Sequence, residues 1–295
     1  MEYSLKDIAL FRSLFKGRED VFATRWEKDK KSGYMPAYFF DPYSFRAHKM
    51  KGGTFQNYPD KSYLQLTDDQ IAKHLSGEQL VGLYPLLSDN TTWFIAADFD
   101  EGDWMGSCKK FIQACNDVSL PAYFERSRSG NGGHIWIFFD KPISAFKTRK
   151  VILSLLTSSG IVSAFDKNTS FDRLFPNQDY LSGKGMGNLI ALPLNGISLQ
   201  QGNSCFIDPI TLYPYTDQWQ FLRQIERVST EHLEGLFSKL SNNLQQENEN
   251  GTLTITLKNK IELNRITIDS IFKFNAIYSN NFFLSNLSLA STKML

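Results

Sequence analysis

WFIAADFD, residues 93–100, is an apolar run that ends on acidic residues. Such a run predicts a buried strand whose last residues reach the surface. Downstream, the spacing of apolar residues predicts, in order, a helix, two strands, a helix and a strand over residues 104–115, 121–125, 134–139, 144–157 and 188–194. Strand, helix, strand, strand, helix, strand is the split βαβ plan, so we expect an antiparallel sheet covered by helices on one face.

In the flanking segments, the spacing of apolar residues predicts helices over residues 4–15, 67–77 and 217–245. The second helix is expected to begin with a capping box formed by Thr67 and Gln70. Residues 28–60 have little periodicity, and the polar linker Asn242–Gly251 precedes an alternating strand, Thr252–Leu257. The expected parts are an N-terminal α/β unit, a core with C-terminal helices, and a linker with a tail, over residues 1–92, 93–241 and 242–295.

Composition and charge limit the function classes. There are 32 Lys and Arg against 31 Asp and Glu, so no overall positive field indicates a polyanionic partner. The three cysteines form no CxxC pair, which disfavours a zinc knuckle, and their sparse, odd number fits a reducing compartment. The N-terminus does not resemble a signal peptide, and no apolar stretch is long enough to cross a bilayer. We therefore expect a soluble, cytoplasmic protein without a membrane partner.

Two aspartates end the first strand. Asp98 and Asp100 are two residues apart, and alternate residues of a strand point to the same face. Their carboxylates repel each other unless a cation lies between them, and carboxylate oxygens are the ligands that Mg²⁺ and Mn²⁺ prefer. The pair is therefore a candidate metal site. The alternative is a solvated acidic turn, since Glu101 and Asp103 follow closely.

A polar glycine loop, residues 127–133, precedes His134. Glycines allow successive backbone amides to point at an anion, and arginine and serine side chains add donors that suit phosphate. Candidate phosphate ligands are therefore Arg126, Ser127, Arg128, Ser129 and His134. The alternatives are an ordinary hairpin turn and a histidine that packs in the core. No GKS or GKT follows, so the loop is not a P-loop.

A third acidic stretch, residues 170–179, contains Asp172. This residue is a candidate to complete the cation site, and Arg173 and Lys184 are candidates to contact phosphates. Asp166 and Asp179 remain alternatives for the third carboxylate. An aspartate in such a segment also serves as a turn or capping residue.

Together, these stretches resemble the archaeo-eukaryotic primase superfamily, and in particular the primase module of TOTE conflict systems. The superfamily pattern is an acid pair on one strand, a loop that ends in a histidine, and then a hydrophobic residue followed by an acid. The resemblance covers about residues 10–228, and the matching stretches are residues 15–23, 33–37, 74–77, 82–87, 97–100, 125–139, 171–179 and 187–194.

The resemblance implies an α/β (α+β) fold, in which an RRM-like palm with an antiparallel sheet packs against an N-terminal α/β unit. It implies that Asp98, Asp100 and Asp172 hold two divalent ions, Mg²⁺ or Mn²⁺, and that His134 contacts the phosphates of a nucleotide with help from Ser127, Arg128 and Ser129. The implied activity is that of a template-dependent DNA or RNA primase-polymerase in a mobile-element or defence system. The implied partners are nucleoside triphosphates, a single-stranded DNA or RNA template, and a helicase or nuclease in cis or in trans.

The sequence departs from the family pattern in two places. Many relatives carry a cysteine cluster where this chain has Tyr38–Leu66 without cysteine, so we expect no structural zinc. Relatives often continue into a helicase. Leu263–Arg265 loosely resembles the connector that precedes this helicase in them. A lone primase, a truncated copy and an excised module are all open alternatives.

Three other functions are alternatives: a two-metal phosphodiesterase or nuclease, a non-catalytic nucleic-acid-binding module, and a rolling-circle initiator. The last needs paired histidine ligands, and His48, His74 and His232 do not have such spacing. Basic helix residues form either a grip on the template backbone or a solvated face: Lys109, Lys110, Lys147, Arg149 and Lys150.

Overall fold

The structure is a computed structural model that describes residues 3–29, 31–162, 170–183 and 185–250, with no side chains described for residues 243–250. The helices are α1 Leu5–Leu14, α2 Pro42–Met50, α3 Asp68–Ser76, α4 Trp104–Asp117, α5 Ala145–Ser158, α6 Gly196–Gln200, α7 Gln218–Arg223 and α8 Thr230–Asn250. The strands are β1 Ala23–Lys28, β2 Lys31–Pro36, β3 Tyr38–Phe40, β4 Lys61–Tyr63, β5 Val81–Leu83, β6 Thr91–Asp100, β7 Tyr123–Arg126, β8 Gly132–Ser144, β9 Phe171–Phe175, β10 Ile190–Ala191 and β11 Cys205–Phe206. The fold is a mixed α/β fold with antiparallel sheets, as the sequence predicts.

The larger sheet has five antiparallel strands in the order β11-β7-β8-β6-β9. Helices α4 and α5 pack on one face, where Phe99 of β6 contacts Phe111 of α4 at 5.9 Å between ring centroids. On the other face, Phe15 packs edge-on against Trp136 of β8 at 5.1 Å. The split βαβ order is present, but its last strand is β9 and not the predicted strand over residues 188–194. The alternating side chains of β9 are too few to distinguish it from a loop in the sequence.

A second antiparallel sheet has the order β10-β5-β1-β2. Its edge strand β10 is shorter than predicted and pairs with β5, with Ile190 opposite Leu83. Two residues from late in the chain therefore complete the N-terminal sheet. Residues up to Asn242 form one compact unit. The division into residues 1–92, 93–241 and 242–295 stays a prediction.

The segment over residues 28–60, which has little periodicity, contains regular structure. Within it, strand β3 pairs with β4, which begins just after the segment, and α2 follows β3 directly. The side chain of Asp41 caps α2 by accepting a hydrogen bond from the Ser44 amide at 2.7 Å. These elements are short and are held by packing between aromatic rings, such as those of Phe40 and Phe55. Such short elements give no repeating apolar pattern in the sequence.

The ends of the helices differ in part from prediction. Thr67 precedes α3 but makes no side-chain capping hydrogen bond, so the predicted capping box is wrong. Gln70 instead accepts a hydrogen bond from Gln79 Nε2 at 2.8 Å. Helix α8 continues to Asn250, through the predicted linker. The predicted strand Thr252–Leu257 lies outside the described residues.

None of the described helices combines the length and the apolar character that crossing a membrane requires.

Candidate metal centre

The acid pair lies at the end of β6, as the alternation of the strand predicts. Asp98 and Asp100 are two residues apart on this strand, and Asp98 pairs directly with His134 of the neighbouring strand β8. Asp98 is buried, with 8% of its surface exposed, while Asp100 lies at the exposed end. The pair therefore reaches from the core of the sheet to its edge.

An irregularity in β9 brings the third carboxylate to this edge. Arg173 pairs with Asp98 and Phe171 pairs with Phe99, so Asp172 is an extra residue between two consecutive pairs. Such a bulge bends a strand and redirects a side chain. The sequence suggested a loop here, whereas the structure has a strand whose bulge turns Asp172 toward the acid pair.

The three carboxylates form a compact cluster. One oxygen from each of Asp98, Asp100 and Asp172 lies within 4.8 Å of the other two, and among the described residues no other group of three or more His, Cys, Asp and Glu meets this geometry. Of the alternatives, Asp179 pairs with Arg149 instead, and Asp166 lies outside the described residues. A set of hard oxygen donors suits a divalent ion, so the cluster can hold one.

Burial and mutual repulsion make the cluster electrostatically unfavourable without a cation. Burial raises the pKa of Asp98 to about 6, the charge of His134 opposes this, and the charges of Asp100 and Asp172 add to it. Burial also raises the pKa of Asp100, against the effect of His134. A divalent ion would stabilise the ionised carboxylates, so the residues present fit a metal ion.

The glycines before His134 have separate tasks. Gly130 adopts a left-handed conformation with φ of +77° and makes the turn. A Cβ atom at Gly132 would lie 2.0 Å from Oδ1 of Asp100 and 2.5 Å from the Phe99 carbonyl oxygen. Gly132 is therefore required by the close approach of Asp100, and it already belongs to β8 rather than to the predicted loop.

The other loop groups are placed unevenly. The buried Ser127 hydroxyl lies 3.2 Å from that of Ser129, so these two predicted phosphate ligands are adjacent. Arg128 is partly exposed. Arg126 donates hydrogen bonds to the backbone carbonyls of Gly202 and Leu212, so its guanidinium holds the polypeptide rather than facing the acid cluster.

His134 is held between carboxylates. Its Nδ1 lies 2.9 Å from Oε2 of Glu125, which also accepts a hydrogen bond from Trp136 Nε1 at 2.7 Å. Its Nε2 lies 3.4 Å from Oδ1 of Asp98. Burial alone lowers the pKa of His134, but the charge and hydrogen bond of Glu125, with the charges of Asp98 and Asp100, raise it to about 9. The imidazole is thus a cation at the edge of the metal centre.

Sequence reasoning missed Glu125 and Trp136. Glu125 is 1% exposed and pairs with His134 across the β7–β8 hairpin, while Trp136 is two residues further along the same face. An acid within the apolar strand β7 was the available signal, because a buried carboxylate needs donors from a neighbouring strand.

The remaining basic candidates are mostly paired. Arg173 Nε donates to Asp172 Oδ2 at 2.7 Å, at the border of the cluster. Lys147 pairs with Glu234 at 2.8 Å. Lys109 donates to the Ile210 carbonyl. Lys184 lies outside the described residues, so its predicted contact with phosphate stays a prediction.

Comparison with known proteins gives a family match over most of the chain. The model of the TOTE conflict system archaeo-eukaryotic primase domain matches residues 6–236. Among solved structures, the polymerase domain of Mycobacterium tuberculosis Ligase D in complex with DNA is similar at 15% sequence identity and a TM-score of 0.38, covering 81% of this chain and 85% of that chain. No curated protein matches at a significant level. The family match covers residues 6–236, which includes the range of about 10–228 that the resemblance predicts, and the chain belongs to the archaeo-eukaryotic primase domain family of TOTE conflict systems.

Proposed function

We propose that the protein is a template-dependent DNA or RNA primase-polymerase, a nucleotidyltransferase that joins nucleoside triphosphates within a conflict or mobile-element system. The observation that carries the proposal is the carboxylate cluster of Asp98, Asp100 and Asp172, with one oxygen of each within 4.8 Å of the others, beside His134, whose Nε2 lies 3.4 Å from Oδ1 of Asp98. Family membership supports the same chemistry.

In this proposal the three carboxylates hold two divalent ions, Mg²⁺ or Mn²⁺, and no structural zinc takes part. When bound, such ions stabilise the negative charge on the attacking and leaving oxygens of a phosphoryl transfer. Asp98 and Asp172 come from neighbouring strands, so the sheet holds the donors rigidly. Gly132 leaves the space in which the Asp100 carboxylate lies.

The second part of the site binds the triphosphate. His134, Ser127, Arg128 and Ser129 supply donors on the β8 side of the cluster, and Arg173 supplies a cation on the β9 side, with Lys184 as a further candidate. Charge-assisted hydrogen bonds of this kind are short and strong on phosphate oxygens. Glu125 orients His134 by accepting from its Nδ1, so that Nε2 faces the cluster.

The reaction proposed is attack by a 3′-hydroxyl on the α-phosphorus of a bound triphosphate. A new oxygen–phosphorus bond forms, the bond from the α-phosphorus to its bridging oxygen breaks, pyrophosphate leaves, and the hydroxyl proton is released. The hydroxyl belongs to a primer or to the first nucleotide. The partners are therefore triphosphates and a single-stranded DNA or RNA template, with a helicase or nuclease acting in cis or in trans.

A primer-synthesis assay on single-stranded template tests the proposal, with wild type beside Asp98→Ala, His134→Ala and the exposed-acid control Asp60→Ala. We expect template-dependent product from wild type and the control, and its loss in the other two variants. Degradation of a labelled oligonucleotide without triphosphates, lost in Asp98→Ala, would instead identify a two-metal nuclease. Binding without any activity would identify a non-catalytic module.

A further inference from the structure

The segment around α2 has an unusual local charge. Between Asp41 and Asp60 the sequence has no acidic residue, while Arg46, Lys49 and Lys51 are all basic and exposed. The whole chain carries a net charge of only +1. The positive charge of this segment is thus local, and it creates a patch that attracts polyanions.

The same helix exposes two large apolar side chains. Tyr43 is 85% exposed and Met50 is 84% exposed. They are seven residues apart, so they lie on one face of α2 together with Arg46. The opposite face carries Phe45, whose ring packs on Tyr58 at 5.3 Å. No residue of α2 is buried, and Tyr43 and Met50 are its exposed large apolar side chains.

The residues beneath α2 are held together by ring packing and by hydrogen bonds. The rings of Phe40, Phe45 and Phe55 pack edge-on against one another at 5.2–5.6 Å. The ammonium group of Lys61 donates to the carbonyls of Phe55, Gln56 and Tyr58 at 2.8–2.9 Å. The outer face is therefore presented by a braced support, which lowers the entropy lost when it binds a partner.

We propose that this α2 surface, consisting of Tyr43, Arg46, Lys49, Met50 and Lys51, binds single-stranded nucleic acid. The cations contact phosphates, while Tyr43 and Met50 provide a platform for a base. Exposed aromatic groups beside basic ones are the pattern of single-strand binding, because stacking requires a base that is not already stacked in a duplex. An acidic protein would use the cations but not the exposed ring. The inference adds a template-binding surface to the proposed function and rests on it.

Fluorescence anisotropy with a labelled single-stranded oligonucleotide tests the inference, in EDTA and without triphosphate so that no catalysis occurs. We expect the triple charge reversal R46E/K49E/K51E to weaken binding by about tenfold or more and to reduce its salt dependence. We expect Tyr43→Ala to weaken single-strand binding by about fivefold while changing duplex binding by less than about twofold.

The matched control is K6E/K141E/K239E, which reverses three exposed lysines outside every proposed site and makes the same change in net charge. We expect this control to bind within about threefold of wild type. Equal losses in both triple variants would overturn the inference, because the affinity would then follow overall charge. An unchanged single-strand affinity in Tyr43→Ala would also overturn it. So would a wild-type protein that sediments as a dimer, if Tyr43→Ala dissociates this dimer while the affinity for the oligonucleotide stays unchanged.

The test separates this inference from the proposed function. Asp98→Ala lacks a ligand of the metal centre but keeps the α2 surface, so its oligonucleotide affinity in EDTA should equal that of wild type. A protein that binds through the α2 surface but makes no product would contradict only the polymerase proposal. A protein that makes product with unchanged affinity in R46E/K49E/K51E would contradict only the α2 surface. Circular dichroism of each variant confirms that the fold is intact.

Discussion

Two buried histidines lie in different elements of this molecule, helix α3 and strand β8, and their partners differ. His74 is 0% exposed in α3, where its Nδ1 accepts from the Val81 amide at 3.2 Å and its Nε2 donates to the Pro193 carbonyl at 2.9 Å. His134 is 9% exposed in β8, where both ring nitrogens face carboxylates, those of Glu125 and Asp98.

The comparison shows that partners, and not burial alone, set the charge of a buried imidazole. Burial lowers the pKa of His74 to about 4, against the hydrogen bond to the Pro193 carbonyl. Burial has the same direction at His134, yet the carboxylates raise its pKa to about 9. One donor and one acceptor fix a neutral ring, whereas two acceptors require both ring protons. His74 is thus suited to structure and His134 to binding anions.

The largest expected effect is on the rate of primer extension, which should depend on His134 and not on His74. His134→Ala should reduce the rate of primer extension by roughly 10²–10³-fold, because it removes a cationic donor from the triphosphate site. The measurement is a single-turnover extension assay at saturating template. Near-normal rates would show that the cation beside the carboxylate cluster has no part in catalysis, and the contrast with His74 would fail.

His74→Ala should have the opposite character. It leaves the Val81 amide and the Pro193 carbonyl buried without their partner and opens a cavity, so we expect a loss of about 2–4 kcal/mol in the free energy of unfolding. Urea titration measures this loss. Activity per folded molecule should stay within about twofold of wild type, and a selective loss of activity would contradict a purely structural role.

Stability should depend on pH in opposite directions at the two sites. The folded pKa of His74, about 4, lies below the ordinary histidine value of 6.5, so its stabilising contribution is present above pH 6.5 and is lost as the pH falls toward 4. Between pH 7.5 and pH 5 this loss is about 2 kcal/mol. The folded pKa of His134, about 9, is raised, so its contribution is present below pH 6.5 and is lost as the pH rises through 9.

Urea titrations over this pH range check both signs, with His74→Gln and His134→Gln as controls. His74→Gln should lose only the fall in stability as the pH drops below 6.5. His134→Gln should lose only the fall in stability as the pH rises through 9. Histidine NMR signals add a direct reading, since His74 should remain neutral down to about pH 5 while His134 titrates near 9. A difference in stability between wild type and His74→Gln that stays constant between pH 7.5 and 5 would contradict the account of His74.

The smallest expected effect concerns the carboxylate that makes the two histidines different. Glu125→Gln keeps the shape of the side chain but removes a charge that raises the pKa of His134, so this pKa should fall. We expect about a tenfold loss of extension rate at pH 8, with less loss at pH 6, where the ring regains its proton.

Trp136→Phe is the matched control, because it removes the second donor to Glu125 while leaving the carboxylate beside His134. It should cost about 1 kcal/mol of stability and leave the pH–rate profile in place. Equal shifts of the profile in both variants would mean that general packing, and not the Glu125 charge, controls His134.

The sequence predicts those parts of the site that depend on local periodicity. Strand alternation is enough to put Asp98 and Asp100 on one face, and the apolar run before them is enough to bury the strand. The hairpin that carries His134 follows from the glycine loop and the apolar residues after it. Each of these features is determined within about ten residues of the chain.

The remainder depends on pairing between distant strands. Asp172 joins the cluster only because β9 pairs with β6 through a bulge, and no local pattern encodes the partner of a strand. The Asp100 side chain explains why residue 132 is a glycine, whereas the loop sequence alone assigns this glycine to phosphate binding. The partner of His74 is similarly remote, since Pro193 lies 119 residues away along the chain.

The late pairing of β10 with β5 has a consequence for biosynthesis. Residues 81–83 leave the ribosome about 100 residues before residues 190–191, which at 5–20 residues per second is a delay of roughly 5–20 s. During this interval the edge of β5 has no β10 to cover it, and an uncovered edge can pair with another nascent chain. We therefore expect translation speed between these strands, and chaperones that shield open edges, to govern the yield of soluble protein.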